Sequence, residues 1–595
     1  MRFEVWNLTL DSLHLKTYKL YMRLLIILLL LSCLTCFGQH SSQYLTPYEK
    51  GNGNQTATYE ELITFYKKLD TSFETIKMIE MGLTDSGEPL HMVIYDGTKS
   101  FDLQKTSQTK VLINNSIHPG EPDGNDASLM YIRDLATSKI IVPKNTLVVV
   151  IPAYNIGGTL NRNSFSRANQ NGPEAYGFRG NARNYDLNRD FVKSDTRNAR
   201  SFAQLFHQVQ PEVFIDNHVS NGADYQYVFT YIQTQHQKLG TGLGDFLQEE
   251  MTPALMKELK KKKIESVPYV TVYGATPEKG FSQMMDLPRY STGYASLFGT
   301  IGYMPETHML KIYSERVRVT YEFMLATVAF VDQNSTKIKS LHKENWKQFA
   351  PKKMYPLQWK IDSTKVKQLS FLGYEHGYKK SAVSGQDRLY YDAKKPFQKE
   401  VPYYNFYKPT KEVMIPKAYV IPKSWWTVIE LLQLNNIALK TFSKDTLITV
   451  EKYHIDTYKT SATAYEGHYN HSNTTVKVSE SQILFRKGDF YIPTQQLGVK
   501  YLLETLEPEA PDSFFNWNFF DAILHQKEGY SAYVFEDLAA DLLEKDAKLK
   551  ATFEAKKAAE PDFSANGKAQ LDWIYKNSAY YEPSHNVYPV YRIMD

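Results

Sequence analysis

The sequence predicts an α/β fold built on a mixed, mainly parallel sheet, and three observations support this. Short apolar runs at Lys110–Asn114, Thr146–Ile151 and Val213–Asp216 have the composition of strands buried on both faces. Segments with helical spacing lie among them, at Asp126–Ala136 and from Asp195 to about Gln210, the latter closed by Pro211. Two of the runs lead into loops rich in His, Asp and Glu, and open α/β sheets gather their active sites beyond the carboxyl ends of their strands. Strands alternating with helices imply parallel neighbours, with helices on both sides of the sheet.

At the N-terminus, Lys19 and Arg23 precede the apolar run Leu24–Leu31, and small residues follow to Gly38. This is the layout of a secretory signal peptide over residues 1–38, with Met22 as the true start and cleavage after Gly38. The protein is therefore expected to be exported, to the periplasm or outside the cell. The alternative is a lipoprotein, with Leu30-Leu31-Ser32-Cys33 as the lipid-attachment box. No later segment reaches ~18 uninterrupted apolar residues, so no membrane span is expected in the mature chain. Cys33 and Cys36 are the 2 cysteines, and both fall inside the signal. The mature chain then has no disulfide, no cysteine nucleophile and no thiolate ligand, and any metal must be held by His, Asp or Glu.

Further along, a helical pattern is expected around Tyr59–Leu69, then alternating segments near Lys77–Gly82 and His91–Tyr95. A helix resumes near Val317–Val331, and Asp332-Gln333-Asn334-Ser335 with the lysine-rich stretch after it marks a boundary. The expected division is a catalytic domain over 39–335 and an accessory domain over 336–595, mixed α/β or β-rich. Helices are expected there near Ser424–Leu434 and Ala532–Glu544. A length of 595 residues accords with two or three units. A net charge of +4 on dispersed lysines gives no electrostatic footprint for a nucleic-acid partner.

The chemistry begins at His118-Pro119-Gly120-Glu121-Pro122-Asp123-Gly124. A His-x-x-Glu pair on a loop past a strand brings an imidazole and a carboxylate to one ion, both of them ligands that zinc accepts. His525 and Glu528 repeat the spacing but have no strand-end histidine downstream. His218, closing Ile215-Asp216-Asn217-His218, supplies a third ligand 97 residues after Glu121. Between them lies Asn184-Tyr185-Asp186-Leu187-Asn188-Arg189-Asp190, where an adjacent Asn and Arg can clamp a carboxylate. Upstream, Asn161-Arg162-Asn163-Ser164-Phe165-Ser166-Arg167 adds cations.

In that order, His-x-x-Glu, Asn-Arg with a later Arg, Asp-Leu-Asn-Arg and a strand-end Asp-x-His resemble the zinc carboxypeptidase A family, peptidase family M14, over roughly residues 60–335. The resemblance implies a carboxypeptidase-like α/β/α sandwich around one zinc ion, acting on the C-termini of peptides or proteins. It implies His118, Glu121 and His218 as zinc ligands, with Asp186 orienting His118. Asn188 and Arg189 match the pair that holds the substrate's terminal carboxylate. Arg167 matches the residue that polarises the scissile carbonyl, with Arg162 and Arg179 as rivals because the spacing is a little longer than usual. Glu306, delivered by Tyr303-Met304-Pro305-Glu306-Thr307-His308, matches the general base that finishes the activation of water. The tyrosine over the substrate is Tyr290 or Tyr294, with Tyr290 preferred. Asp190 stands where many relatives carry Asn, placing an extra negative charge beside the clamp. His308 shares a strand face with Glu306, in a substrate-contacting or structural role.

Two other functions use the same residues. One is a zinc amidase or deacylase, or a peptidase acting on cell-wall stem peptides; the other is a non-catalytic binding protein on the same scaffold. In the C-terminal half, Tyr465-Glu466-Gly467-His468 with His471 imitates a metal site but reads as a surface loop, and Trp425, Trp426 and Trp517 read as core.

Overall fold

The structure is a computed structural model that describes Met22 and residues 43–595. The expected signal segment, with Cys33 and the cleavage point, otherwise lies outside the described residues. The described chain forms two units: residues up to 345 with 361–407, and 346–360 with 408–595. This differs from a single division at 335, because a hairpin from the later half belongs to the first unit.

In chain order, the first unit contains α1 (Tyr59–Ser72), β1 (Ile76–Leu83), β2 (Pro89–Tyr95), β3 (Thr109–Asn114), α2 (Asp123–Ala136) and β4 (Thr146–Ile151). These are followed by α3 (Arg197–Val209), β5 (Val213–Asp216), β6 (His218–Ser220), β7 (Phe229–Gln233), α4 (Thr252–Lys261), β8 (Ser266–Pro268) and β9 (Phe281–Ser282). Then come α5 (Ser291–Leu297), β10 (Ile301–His308) and α6 (Tyr313–Gln333).

A nine-stranded sheet runs β1-β2-β4-β3-β5-β10-β7-β8, with β6 also against β10. Its centre, β4-β3-β5-β10, is parallel. Antiparallel pairs occur at β1–β2, β2–β4 and β10–β7, so the sheet is mixed. The central strands are apolar at successive positions because both faces are covered. Val111, Ile113, Val213 and Ile215 enter a core shared with α1, α2, α4 and α6. Phe214 points the other way and meets Phe202 and Phe206 of α3, at ring-centroid distances of 6.0 and 6.4 Å. Each such side chain, fully buried, contributes about 1.5–3 kcal/mol. The result is an α/β/α arrangement.

Two helix starts differ from the sequence expectation. α3 is capped by Thr196, whose hydroxyl accepts from the Ala199 amide, while Asp195 pairs with Lys193 Nζ at 2.7 Å. α2 begins at Asp123, three residues earlier than its apolar spacing announces, because Asp123 is held from below. Buried Arg316 of α6 donates to it from Nε at 3.0 Å, and Thr307 of β10 donates through its hydroxyl. A Cβ on Gly124 would stand 2.5 Å from Asn217 Cβ, so only glycine lets α2 start this close to the β5–β6 junction.

Within this unit a long hairpin, Lys367–Lys380 with Asp387–Tyr404, joins β9 through its return strand and packs on Tyr225, Tyr227 and Phe281. The second unit has a six-stranded sheet that includes Ala418–Ile421, Thr446–Thr460 and His471–Phe485, with helices at Trp426–Leu434 and Val499–Leu506. A helical cluster between Phe535 and Tyr575 has its own small core. Among the described residues, no helix is long and apolar enough to cross a membrane.

Candidate active site

β3 and β5 are parallel partners whose last residues, Asn114 and Asp216, lie side by side, so the loops after them emerge together. His118 and Glu121 lie on the first loop, and His218 opens β6 directly after the second. All three are buried, and one donor atom from each lies within 4.8 Å of the others. No other such group of His, Cys, Asp or Glu occurs among the described residues. His525 with Glu528 and His468 with His471 therefore form none. His471 is instead held by Asp521 at 3.0 Å and by the Thr460 hydroxyl.

The tautomers follow from the partners. His118 Nε2 donates to Asp186 Oδ1 at 3.0 Å, and His218 Nε2 donates to Asp216 Oδ2 at 2.9 Å. Both rings thereby turn Nδ1 towards Glu121, at 3.3 and 3.1 Å. His118 Nδ1 is buried and has no hydrogen-bond partner. A buried lone pair facing a carboxylate and a second imidazole is costly unless a cation joins them. Two imidazole nitrogens and one carboxylate form the donor set of an open zinc site, so these residues fit a single zinc ion.

The surrounding charges keep the two carboxylates of this cluster, Glu121 and Asp186, ionised. Burial pushes the Glu121 carboxyl up, but Arg167 Nη1 at 2.6 Å and the two histidines outweigh it and hold it well below its ordinary range. The Val219 amide also donates to it at 3.0 Å. Burial likewise opposes ionisation of Asp186, yet His118, Arg179 and Arg189 hold it below the usual carboxylate range. Arg179 grips its Oδ2 from Nε and Nη2 at 3.0 and 2.9 Å.

Glu306 lies on β10 as the register partner of His218 on β6, so both side chains leave the same face. Burial raises its carboxyl to about 8, with Glu121 adding to the rise and His218, Arg167 and Arg179 opposing it. A divalent cation at the three donors adds to the opposing side.

Asn188 Oδ1 accepts from the Ser291 amide at 3.0 Å, which leaves its Nδ2 group to donate. Arg189 lies over the Tyr290 ring at 4.7 Å and donates to the Asn188 carbonyl at 2.8 Å. Both line one cavity of about 260 Å³ together with the three donors, Arg167, Arg179, Tyr290 and Glu306. Of the rival arginines, Arg162 is turned to the carbonyls of Thr56 and Ala57, while Arg179 enters the cavity. Tyr294 is packed among Phe191, Phe202 and Phe206 with its hydroxyl on His207, so Tyr290 is the one of the two that faces the cavity.

Asp190 is not the extra cavity charge expected from the sequence. It is fully buried, takes Lys193 Nζ at 2.8 Å and accepts from the amides of Asp195 and Thr196, bracing the loop from behind. His308 is buried beside the Tyr225 ring at 4.2 Å, with Asp224 at 3.3 Å from its Nε2. Sequence reasoning gave no role to Asp216, although its place two residues before a strand-end histidine was the available signal. It also missed Tyr269 and Tyr273, which line the cavity with their hydroxyls 2.5 Å apart and which no motif marks.

No family model matches the chain. Carboxypeptidase 2 of Trichophyton rubrum is 19% identical to it over 442 residues, covering 71% of this chain and 76% of that protein. The protein of the same name from Trichophyton equinum matches to the same extent. Among solved structures, a metallo-carboxypeptidase from Burkholderia cenocepacia is similar at 15% identity, covering 47% of this chain and 70% of its own, with a TM-score of 0.35. Carboxypeptidase A from Helicoverpa armigera is similar at 15% identity, covering 48% and 75%, with a TM-score of 0.36.

Proposed function

We propose that the chain is a zinc-dependent metallocarboxypeptidase that hydrolyses the last peptide bond of its substrates. The observation that carries this reading is the content of a single cavity. It holds two imidazole nitrogens and a carboxylate within 4.8 Å of one another, a buried carboxylate in register beside them, and an Asn–Arg pair able to bind a terminal carboxylate. The named carboxypeptidases to which the chain is similar support the same reading.

His118, Glu121 and His218 would hold one zinc ion, which when bound supplies Lewis acidity towards the substrate carbonyl and towards water. Asp186 and Asp216 fix the ring orientation of the two histidines. Asn188 Nδ2 and the Arg189 guanidinium receive the substrate's terminal carboxylate, and the Tyr290 ring beneath that guanidinium helps to hold it in place. Arg167 draws electron density from the scissile carbonyl. Glu306 takes a proton from the attacking water and returns it to the nitrogen of the departing amino acid. The burial that raises its affinity for a proton suits it to both transfers.

The test compares peptides carrying a free C-terminal carboxylate with their amidated counterparts, with and without a chelator. Release of the last residue only from free-carboxylate peptides, abolished by chelation and restored by zinc, is the expected result. Equal cleavage of amidated peptides or of simple acyl amides would move the reading to an amidase or deacylase. Absence of stoichiometric zinc binding would move it to a binding protein.

A further inference from the structure

Resting on the carboxypeptidase reading, we infer that the hairpin of residues 367–404 is a positioning element of the active site. Through Glu278 and two valines it holds Tyr269 and Tyr273 in the cavity wall. The segment between β8 and β9 has one turn of 3-10 helix, Pro277–Lys279, and no strand, so no sheet ladder fixes it as it fixes Glu306. Within five residues it faces two ways. Tyr269 and Tyr273 line the cavity, while Val270 and Val272 are buried in an apolar core shared with Phe371, Val401 and Tyr403 of the hairpin.

The upstream end of the wall is tied to the sheet, where the Tyr269 amide donates to the Tyr231 carbonyl at 2.8 Å. From Ala275 onwards it is tied to the hairpin. Tyr391 donates through its hydroxyl to the Ala275 carbonyl at 2.8 Å. Glu278 reaches both strands: Lys399 Nζ lies 2.6 Å from its Oε1, and His376 Nδ1 lies 3.0 Å from its Oε2. Gly280, at φ +95°, passes so close that a Cβ would stand 2.9 Å from the Pro402 carbonyl oxygen. The Gln283 amide then donates to the Tyr404 carbonyl at 2.9 Å, one residue before Met284, which also lines the cavity. Tyr273 is 60% exposed and stands at the mouth between these two sets of anchors, its hydroxyl 2.5 Å from that of Tyr269. The ion pairs of Glu278 are partly exposed and add little to folding, so loosening them frees the wall without unfolding the protein.

The test measures steady-state cleavage of one free-carboxylate peptide by the zinc-loaded full chain. It compares the wild type, Glu278→Lys, Tyr273→Ala, the two together, and Glu278→Lys combined with Lys399→Glu. Glu278→Lys sets a like charge against Lys399 and is expected to raise KM ~5-fold or more with kcat within ~2-fold, the signature of lost uniform binding. Adding Lys399→Glu is expected to return KM to within ~2-fold of the wild type. If Glu278 acts through Tyr273, its effect shrinks to below ~2-fold in the Tyr273→Ala background. The urea midpoint is expected to stay at its wild-type value throughout. An unchanged KM in Glu278→Lys, or full additivity with Tyr273→Ala, would overturn the inference and leave the carboxypeptidase reading intact. A KM rise that the charge swap does not relieve, together with a lowered midpoint, would mark a purely structural ion pair and overturn it too. Release from no peptide by the zinc-loaded wild type would overturn both.

Discussion

Glu306 and His218 face each other in register across two parallel strands, β10 and β6. The buried carboxylate therefore stands one strand spacing from a candidate metal ligand, fixed by backbone pairing. Neither residue depends on a flexible loop for its position relative to the other.

Glu306→Gln is expected to bind zinc at the wild-type stoichiometry and to lose at least ~100-fold in kcat, the usual scale for a general base. Metal content by elemental analysis and turnover of one peptide check both parts. Near-normal turnover would remove Glu306 from the reaction.

Asp216→Asn keeps a hydrogen-bonding partner near His218 Nε2 but removes the carboxylate charge that orients the ring and makes it a stronger ligand. Zinc affinity is expected to fall 10–100-fold, roughly as for other partners of ligating histidines. Competition against a chromogenic chelator measures the change. His218→Ala, which removes a ligand outright, is expected to lose more.

Arg189→Ala removes the guanidinium that lies over the Tyr290 ring. Its expected signature is selective: cleavage of free-carboxylate peptides falls, and the gap between free and amidated substrates narrows. A uniform loss on both substrates would point to a structural role.

Arg316 is fully buried and is bonded to Asp123 and to the carbonyls of Asn171, Met309, Lys311 and Gly172. Arg316→Ala leaves Asp123 charged and without its cation, and removing one partner of such a pair costs about 3–5 kcal/mol. Denaturant unfolding with the m-value held constant measures it.

Asp126 is fully buried beneath Tyr313, and burial raises its carboxyl to about 7. Its folded pKa lies above its unfolded value, so the folded state binds the extra proton. The associated stability is complete below about pH 4 and is lost as pH rises through about 7. Across that window the wild type is expected to lose on the order of 4 kcal/mol relative to Asp126→Asn. Equal slopes for the two proteins in urea titrations would refute this.

The sheet was legible in the sequence because parallel strands buried on both faces carry unbroken apolar runs, as residues 147–151 and 213–215 do. The chain positions of the three donors were legible from motif spacing; what local pattern could not reveal was contact at a distance. The early start of α2 depends on Arg316, 193 residues away. The role of Asp190 depends on Lys193 folding back beneath the loop, which reads on paper as one more surface charge. Tyr269 and Tyr273 reach the cavity through the course of a loop between β8 and β9 that carries no periodic signal. The hairpin of 361–407 belongs to the first unit through its pairing with β9 and its packing on Tyr225 and Tyr227, neither of which local composition records.

Asp186 divides its two oxygens, one for the His118 ring and the Asn188 amide, the other for Arg179 and, more distantly, Arg189. A single short side chain is thus a common hinge pin for two parts of the machine that an engineer would prefer to adjust separately. A change at Arg179 or Arg189 will be felt at the His118 imidazole, and a change at His118 will be felt at the two arginines. Neighbouring substitutions are therefore expected to succeed in compensating pairs and to fail singly.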